Sequence, residues 1–354
     1  MRRFALAALA LALPQLTACS SSDPTGPAPA PEPAVRRGYG LSPVGFPADW
    51  SALGSFYAAV GAEPGGEVLW AGPWRDDRDG GSDSGTIPAA ALGLQAGAST
   101  YGFTTSIVFG WRVGDTVLLN VPGNAQADWT NDDAKALYRQ MVLDFCAQAD
   151  PTFLFLGNEI DFYWEQDPVD FVRWATFLGE TADAIHAAHP GTRVGTVFNF
   201  EHLAGVGALN GWNAPQWGAL DAVDLDRLDV VGLTVYPFFS HATPAAVPAT
   251  YLDPVLARLG GRAVVVNETG WPAASLGLTP VWETSTAAQV AWIERLPVVL
   301  ASADVRAVHW LFRNEAVDGG APSLEWQVFG SISTHDAAGV ARPAAAAWAE
   351  LGLP

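Results

Sequence analysis

Two glutamates follow short apolar runs in this sequence, and their surroundings suit acid–base chemistry. Glu159 stands in the segment GNEI at 157–160, after the run FLFL, and Glu268 follows the run AVVV with one asparagine between. Two carboxyl groups that face each other across a pocket can hydrolyse a glycosidic bond, because one protonates the leaving oxygen while the other attacks the anomeric carbon. The sequence therefore predicts a hydrolytic site built on Glu159 and Glu268.

Other polar and aromatic residues also come at the ends of apolar runs. Tyr236 follows GLTV and Asn199 ends VGTVFN, with Glu201 close behind as a rival carboxylate. We interpret Asn199 and Glu201 as possible sugar contacts. An indole ring can stack on the apolar face of a pyranose, so about half of the tryptophans at such positions are expected to touch substrate: Trp74, Trp111, Trp164, Trp271 and, as first choice, Trp310.

Eight apolar runs alternate with helical patterns along the chain. Several of them are continuous rather than alternating, which is typical of parallel strands covered on both faces. The predicted strands are Tyr39–Val44, Glu67–Gly72, Thr105–Gly110, Thr152–Leu156, Arg193–Phe198, Asp229–Val235, Arg262–Val266 and Arg306–Trp310, with Thr116–Val121 competing for the third place.

This order predicts an α/β fold, a single-domain (β/α)8 TIM barrel. An open doubly wound sheet is the alternative, although its glycine-rich nucleotide motifs are missing from the sequence. In a barrel, the active site forms where strands end and the following loops begin. Glu159 and Glu268 should then face each other from nearly opposite walls.

The N-terminus predicts export. Residues 1–18 read as a lipoprotein signal peptide, because a short basic start precedes an apolar stretch too short to span a bilayer. The segment LTAC at 16–19 resembles the lipobox of bacterial lipoproteins, which implies cleavage before Cys19 and a lipid on its sulfur; an ordinary signal peptide is the alternative. Residues 19–37 read as an extended Pro/Ala/Ser linker and 38–354 as the barrel domain. We expect an outer-membrane or cell-surface enzyme facing the periplasm or the exterior.

The composition of the chain limits the kinds of ligand that it is expected to bind. A formal net charge of −19 argues against nucleic acid and leaves neutral polysaccharide or oligosaccharide as the expected ligand. We expect a monomer that touches the membrane only through its lipid. No metal or other cofactor is predicted, since no H-E-x-x-H occurs. The acidic loop 76–83 is interpreted as solvated, with calcium binding as the alternative.

The short motifs carry a family resemblance. Asn158 and Glu159 after the fourth strand and Glu268 after the seventh resemble the pattern of the clan A retaining β-glycosidases. GNEI at 157–160 is similar to the acid/base segment of endo-β-1,4-galactanases. ETGWP at 268–272 and VYPFF at 235–239 are more similar to endo-β-1,3-glucanases.

That resemblance implies roles for individual residues. Glu159 would be the acid/base and Glu268 the nucleophile. Asn158 would bond the substrate 2-hydroxyl, Tyr236 would hold the nucleophile, and Trp310 would form the floor of the adjoining subsite. Clan members also use an arginine near the nucleophile, for which the candidates are Arg75 and Arg112.

The resulting hypothesis is a retaining endo-β-glycanase that acts on β-galactan or β-1,3-glucan. A non-catalytic carbohydrate-binding surface lipoprotein on the same scaffold is the alternative from a different class. A third possibility is an exported barrel enzyme that uses a metal.

Overall fold

Eight parallel strands form a closed barrel in the computed structural model, which describes residues 35–43, 50–75, 86–119, 121, 128–274, 284–315 and 328–353. The strands pair in chain order, and the eighth pairs back with the first, which closes the barrel. This confirms the (β/α)8 barrel. A short additional strand, Ser333–His335, pairs in parallel with the end of the eighth. The strands are β1 (Arg36–Gly40), β2 (Gly66–Pro73), β3 (Thr104–Gly110), β4 (Phe153–Leu156), β5 (Arg193–Asn199), β6 (Val230–Val235), β7 (Ala263–Thr269) and β8 (Val305–Asn314).

Helices follow the strands and cover the barrel. Sequence signals set several helix starts: Asn131 accepts a hydrogen bond from the Ala134 amide at 2.9 Å, and Asp167 precedes a first-turn proline. The helices are α1 (Leu53–Gly61), α2 (Ala89–Tyr101), α3 (Asp132–Ala149), α4 (Asp161–Gln166), α5 (Pro168–Ala188), α6 (Phe200–Ala204), α7 (Trp217–Asp221), α8 (Asp253–Leu259), α9 (Thr286–Val299) and α10 (Pro343–Glu350). None of the helices in the described ranges is long and apolar enough to cross a membrane.

The strands are buried on both faces, which explains their continuous apolar runs. A small apolar cluster fills the inside of the barrel, and a larger one lies between barrel and helices. A polar contact also lies inside, where His309 Nε2 on β8 is 3.1 Å from Glu67 Oε1 on β2. Both side chains are fully buried. Side chains at the carboxyl ends of the strands are therefore supported from below by a packed interior.

Several strand bounds differ from the predicted ones. β1 begins at Arg36, two residues before the start expected for the barrel domain, and β7 continues to Thr269, so that Glu268 lies within the strand. In the run 116–121, which competed for the third strand, Thr116–Val117 pairs with Arg112–Val113 in a two-stranded hairpin outside the barrel. The predicted signal peptide, Cys19, most of the linker and the acidic loop 76–83 lie outside the described residues.

Candidate active site

Glu159 is placed by a tight turn at the end of β4. Its backbone has a φ of 46°, in the left-handed region, and Gly157 just before it has a φ of 86°. A left-handed non-glycine residue costs roughly 1 kcal/mol or more and is common at functional sites. The half-buried carboxyl accepts two hydrogen bonds on one oxygen, Oε1: Asn199 Nδ2 donates at 3.0 Å and Thr234 Oγ1 at 2.7 Å.

Glu268 lies near the end of β7 and is 7% exposed. Its Oε2 accepts a hydrogen bond from the Tyr236 hydroxyl at 2.7 Å. The register between β6 and β7 shifts between Leu233 and Thr234, and the shift brings Thr234 directly opposite Glu268. Since Thr234 also bonds Glu159, one residue joins the two glutamates, and the structure brings both to the same end of the barrel.

The two glutamates interact electrostatically. Burial and the charge of Glu159 raise the pKa of Glu268, while the Tyr236 hydrogen bond lowers it. Burial and the charge of Asp161 raise the pKa of Glu159, against the hydrogen bonds from Thr234 and Asn199. Two neighbouring carboxylates cannot both be ionised without cost, so near neutral pH the pair favours one proton shared between the two sites.

Glu201 lies beneath the site rather than in it. The side chain is fully buried, and its Oε1 accepts from the Tyr236 backbone N–H at 2.8 Å and the Tyr251 hydroxyl at 2.9 Å. Burial raises the pKa of Glu201 to about 8. This placement corrects the expectation of a sugar contact, because the carboxyl supports Tyr236 from behind. Asn199 is also buried and contacts Glu159 instead of open space.

The structure also corrects the prediction of sugar contact for four of the tryptophans. Trp310 is fully buried, and its ring centroid lies 5.7 Å from that of Trp348 on α10. Three of the other four are at most 1% exposed and belong to the layer between barrel and helices, namely Trp74, Trp111 and Trp271, whereas Trp164 on α4 is half-buried. An aromatic residue that sequence reasoning missed is Phe329, whose half-buried ring lies 5.5 Å from that of Tyr236.

Thr234 was also missed, although the sequence contained a signal for it. Residues two apart on a strand point to the same face, so a polar residue two places before Tyr236 should share its surroundings. Asn158, next to Glu159 in the chain, is half-buried, and its contact with the substrate 2-hydroxyl stays a prediction.

Each of the two candidate arginines lies over an aromatic ring, and a contact with the nucleophile stays a prediction. Arg112 packs 5.8 Å from the Phe162 ring, and its charge lowers the pKa of Glu159. Arg75 packs 5.9 Å from the Trp74 ring. Within the described part of the chain, no group of three or more His, Cys, Asp or Glu side chains could hold a metal ion.

Comparison with solved structures shows what this architecture is similar to. The GH53 catalytic domain from Ignisphaera aggregans matches with a TM-score of 0.60 and 16% identity, over 93% of this chain and 99% of that one. A β-1,3-glucanosyltransferase from Rhizomucor miehei, in complex with laminaritriose, matches with a TM-score of 0.57 and 13% identity, over 88% and 96%. An exo-β-1,4-mannosidase from Opitutaceae bacterium strain TAV5 matches with a TM-score of 0.62 and 15% identity, over 89% of this chain.

The chain spans 58% of the length of that mannosidase and 63% of a family 39 glycoside hydrolase from Bacteroides cellulosilyticus. No protein-family model matches the chain, and no curated protein matches it in sequence. At these identities the matches establish the fold. The chain has a TIM-barrel fold similar to those of these glycoside hydrolases.

Proposed function

We propose that this chain is a retaining glycoside hydrolase that cleaves β-linked polysaccharide, with Glu159 as acid/base and Glu268 as nucleophile. The observation that carries the proposal is the contact chain Glu159–Thr234–Glu268–Tyr236. It brings a carboxyl with an unbonded oxygen and a carboxyl held by a phenol to the ends of facing strands. Double displacement requires these two carboxyl groups, one as acid/base and one as nucleophile.

The hydrogen bonds support this division of roles. Both donors to Glu159 meet on Oε1, so a proton on Oε2 leaves those bonds intact. Tyr236 can only donate to Glu268 if the carboxyl oxygen accepts, and burial keeps the pKa of the phenol well above its usual range. We therefore assign the shared proton to Glu159, whose Oε2 can carry it without loss of either hydrogen bond, and the charge to Glu268.

In the first step, Glu268 Oε1 attacks the anomeric carbon as the glycosidic bond breaks, and the Glu159 proton passes to the leaving oxygen. The sugar is then held as an ester of Glu268. In the second step Glu159 takes a proton from water, the water oxygen attacks the same carbon, and Glu268 leaves as a carboxylate. Two inversions at one carbon retain its configuration.

The finer assignment is endo action on β-1,4-galactan or β-1,3-glucan. The sequence segments 157–160 and 268–272 support it, as do the structural likenesses to a GH53 domain and to an enzyme solved with laminaritriose. The test is the release of reducing ends from potato β-1,4-galactan, laminarin, barley mixed-linkage glucan and β-1,4-mannan. Turnover of one of these glycans is expected. Binding of a glycan without turnover would favour the non-catalytic carbohydrate-binding lipoprotein.

Variants test the two roles separately. Glu268→Ala should abolish turnover, and azide should then give a glycosyl azide of inverted configuration. Glu159→Ala should keep the first step for an activated aryl glycoside, and azide should give the retained product. Glu180→Ala, an exposed glutamate on α5, is the matched control and should keep full activity. Identical behaviour of the Glu159 and Glu268 variants would contradict the assignment.

We further propose that the enzyme is displayed on a membrane surface through a lipid on Cys19. The LTAC segment and the Pro/Ala-rich residues after it support this. Expression of the full chain in a bacterial host should give a membrane-bound protein, and Cys19→Ala should release it. A wild-type protein found entirely in the soluble fraction would contradict the proposal.

A further inference from the structure

Behind Glu159 lies a buried network that its proposed role does not yet explain. Asp161 and His202 are fully buried, and Asp161 Oδ2 lies 2.6 Å from His202 Nδ1. The other oxygen of Asp161, Oδ1, accepts a hydrogen bond from the Asn199 backbone N–H at 2.7 Å. The aspartate thereby ties the imidazole to the backbone of the residue that bonds Glu159.

Asn199 is held in one orientation by this network. Its Oδ1 accepts from the His202 backbone N–H at 3.0 Å, which leaves Nδ2 to donate to Glu159 Oε1 at 3.0 Å. A flipped amide would set two donors against each other and two acceptors against each other. The side chain of Asn199 can therefore only donate to the glutamate.

The His202 imidazole packs against two aromatic rings. Its ring stacks on Phe162 with centroids 4.1 Å apart and packs edge-on to Trp212 at 5.5 Å. Its Nε2 is buried without a hydrogen bond, and Glu165 Oε2 lies 3.4 Å away at the surface. An outer carboxylate, an imidazole and an inner carboxylate thus form a line that ends beside the acid/base residue.

We propose that Asp161 and His202 are a positioning pair for Glu159: through Asn199 they orient its carboxyl, and they place a buried negative charge next to it. The inference deepens the proposed function and rests on Glu159 being the acid/base. Neither residue touches substrate in this scheme. The charge of Asp161 disfavours ionisation of Glu159 and so keeps the proton available for the leaving group.

The charges around Glu159 come from several elements. Glu268 on β7 and Asp161 at the start of α4 are negative and disfavour its ionisation, and Arg112 after β3 favours it. Glu201 on α6 also interacts with Glu159. Among the negative groups, Asp161 is the one whose charge can be removed without altering either proposed catalytic glutamate or the Glu201 carboxyl that supports Tyr236. Its removal is therefore the informative change.

Asp161→Asn is the main test, because it keeps the shape and one acceptor oxygen for the Asn199 backbone N–H while it removes the charge. The new amide N–H replaces the oxygen that faces His202 Nδ1, and that nitrogen can accept from it in the other imidazole tautomer. The readout is the pKa of the Glu159 carboxyl, followed by 13C NMR on protein labelled at glutamate carboxyls, with the signal assigned by its loss in Glu159→Gln. The pKa of Glu159 should fall by about one unit. Asp170→Asn is the matched control: Asp170 is also buried and accepts a backbone N–H, from Trp129 at 2.9 Å, and its loss should leave Glu159 unchanged.

Kinetics give the second readout. A lower pKa for the acid moves the alkaline limb of kcat/KM to lower pH, with kcat affected more than KM. If Asp161→Asn does not fold, Glu165→Gln is the variant to measure. The Glu165 carboxyl is 39% exposed. Loss of its charge should lower the pKa of Glu159 by a few tenths of a unit. If the pKa of Glu159 is unchanged in the folded variant, the proposal that Asp161 and His202 position Glu159 is wrong. A shifted signal in a protein without hydrolytic activity would instead leave the pair intact and overturn the proposed function.

Discussion

The Tyr236 hydroxyl donates to Glu268 Oε2 at 2.7 Å, and the same tyrosine's backbone N–H donates to Glu201 at 2.8 Å. One residue therefore connects the proposed nucleophile to a buried carboxyl below it. The phenol is an acid that stays protonated, because burial and the nearby glutamates keep its pKa well above the usual range. It can act on Glu268 only as a donor, and this favours the ionised form.

Tyr236→Phe should weaken catalysis without disturbing the fold. The change removes the donor, so the pKa of Glu268 rises and the acidic limb of kcat/KM moves to higher pH. A hydrogen bond to a charged group contributes about 1.5–3 kcal/mol, which corresponds to a loss of roughly 10- to 100-fold in kcat/KM. Tyr251→Phe removes a phenol from Glu201 instead, and its acidic limb should stay in place. Equal pH profiles for Tyr236→Phe and wild type would contradict the proposed role.

Glu201 should make the folded protein less stable as pH rises from 4.5 to about 8. Its pKa rises from an ordinary 4.5 to about 8 in the folded protein. The folded state therefore holds a proton that the unfolded state releases, so the stabilisation is complete below pH 4.5 and is lost as pH rises towards 8. Glu201→Gln stays neutral at all these values and can still accept the two hydrogen bonds at Oε1.

The measurement is the free energy of unfolding in urea at pH 5, 7 and 9. Wild type should lose more stability over this range than Glu201→Gln. The exposed variant Glu180→Gln should follow wild type. Parallel curves for wild type and Glu201→Gln would show that Glu201 ionises freely.

Trp310 should prove to be a core residue. Trp→Ala in a packed core costs about 3–5 kcal/mol, and the milder Trp310→Phe should cost roughly 1–2 kcal/mol of unfolding free energy with little change in KM. Phe329→Ala is the comparison, because this half-buried ring beside Tyr236 should raise KM several-fold with less loss of stability. A large rise in KM for Trp310→Phe at unchanged stability would restore it as a sugar contact.

The barrel and the position of both glutamates could be predicted because they rest on short-range rules. Continuous apolar runs indicate buried parallel strands, and residues that follow those runs share one end of the barrel. Glu159, Glu268 and Tyr236 needed only those two rules. Their mutual contacts also required a register shift at Thr234, which no local pattern announces.

The position of Trp310 could not be predicted, because alternation along a strand does not say which residue points inward. On β8, Ala307 belongs to the inner cluster and His309 reaches Glu67 inside the barrel, so Trp310 points outward to α10. The expectation that Trp310 forms the floor of the subsite required the opposite alternation, with Trp310 pointing into the pocket. Only partners from distant strands and helices decide the phase, and the same holds for Asp161 and His202.

Arg37 should stabilise the closure of the barrel, although its sequence surroundings suggested a linker. It lies on β1, and its guanidinium donates to three carbonyls at the end of α10, those of Trp348, Ala349 and Leu351, at 2.5, 2.8 and 3.1 Å. The last carbonyls of a helix lack full hydrogen bonding within it, although Trp348 O also accepts from the Leu351 N–H at 3.3 Å, and a cation at a helix C-terminus is favourable. Arg37→Ala should therefore lower the free energy of unfolding by about 1.5–3 kcal/mol, and Arg37→Lys by less.

Arg306→Ala removes an exposed pair with Asp304 and should cost about 0–1 kcal/mol. Denaturation in urea separates the cases: equal losses for Arg37→Ala and Arg306→Ala would mean that Arg37 contributes no more than a surface charge.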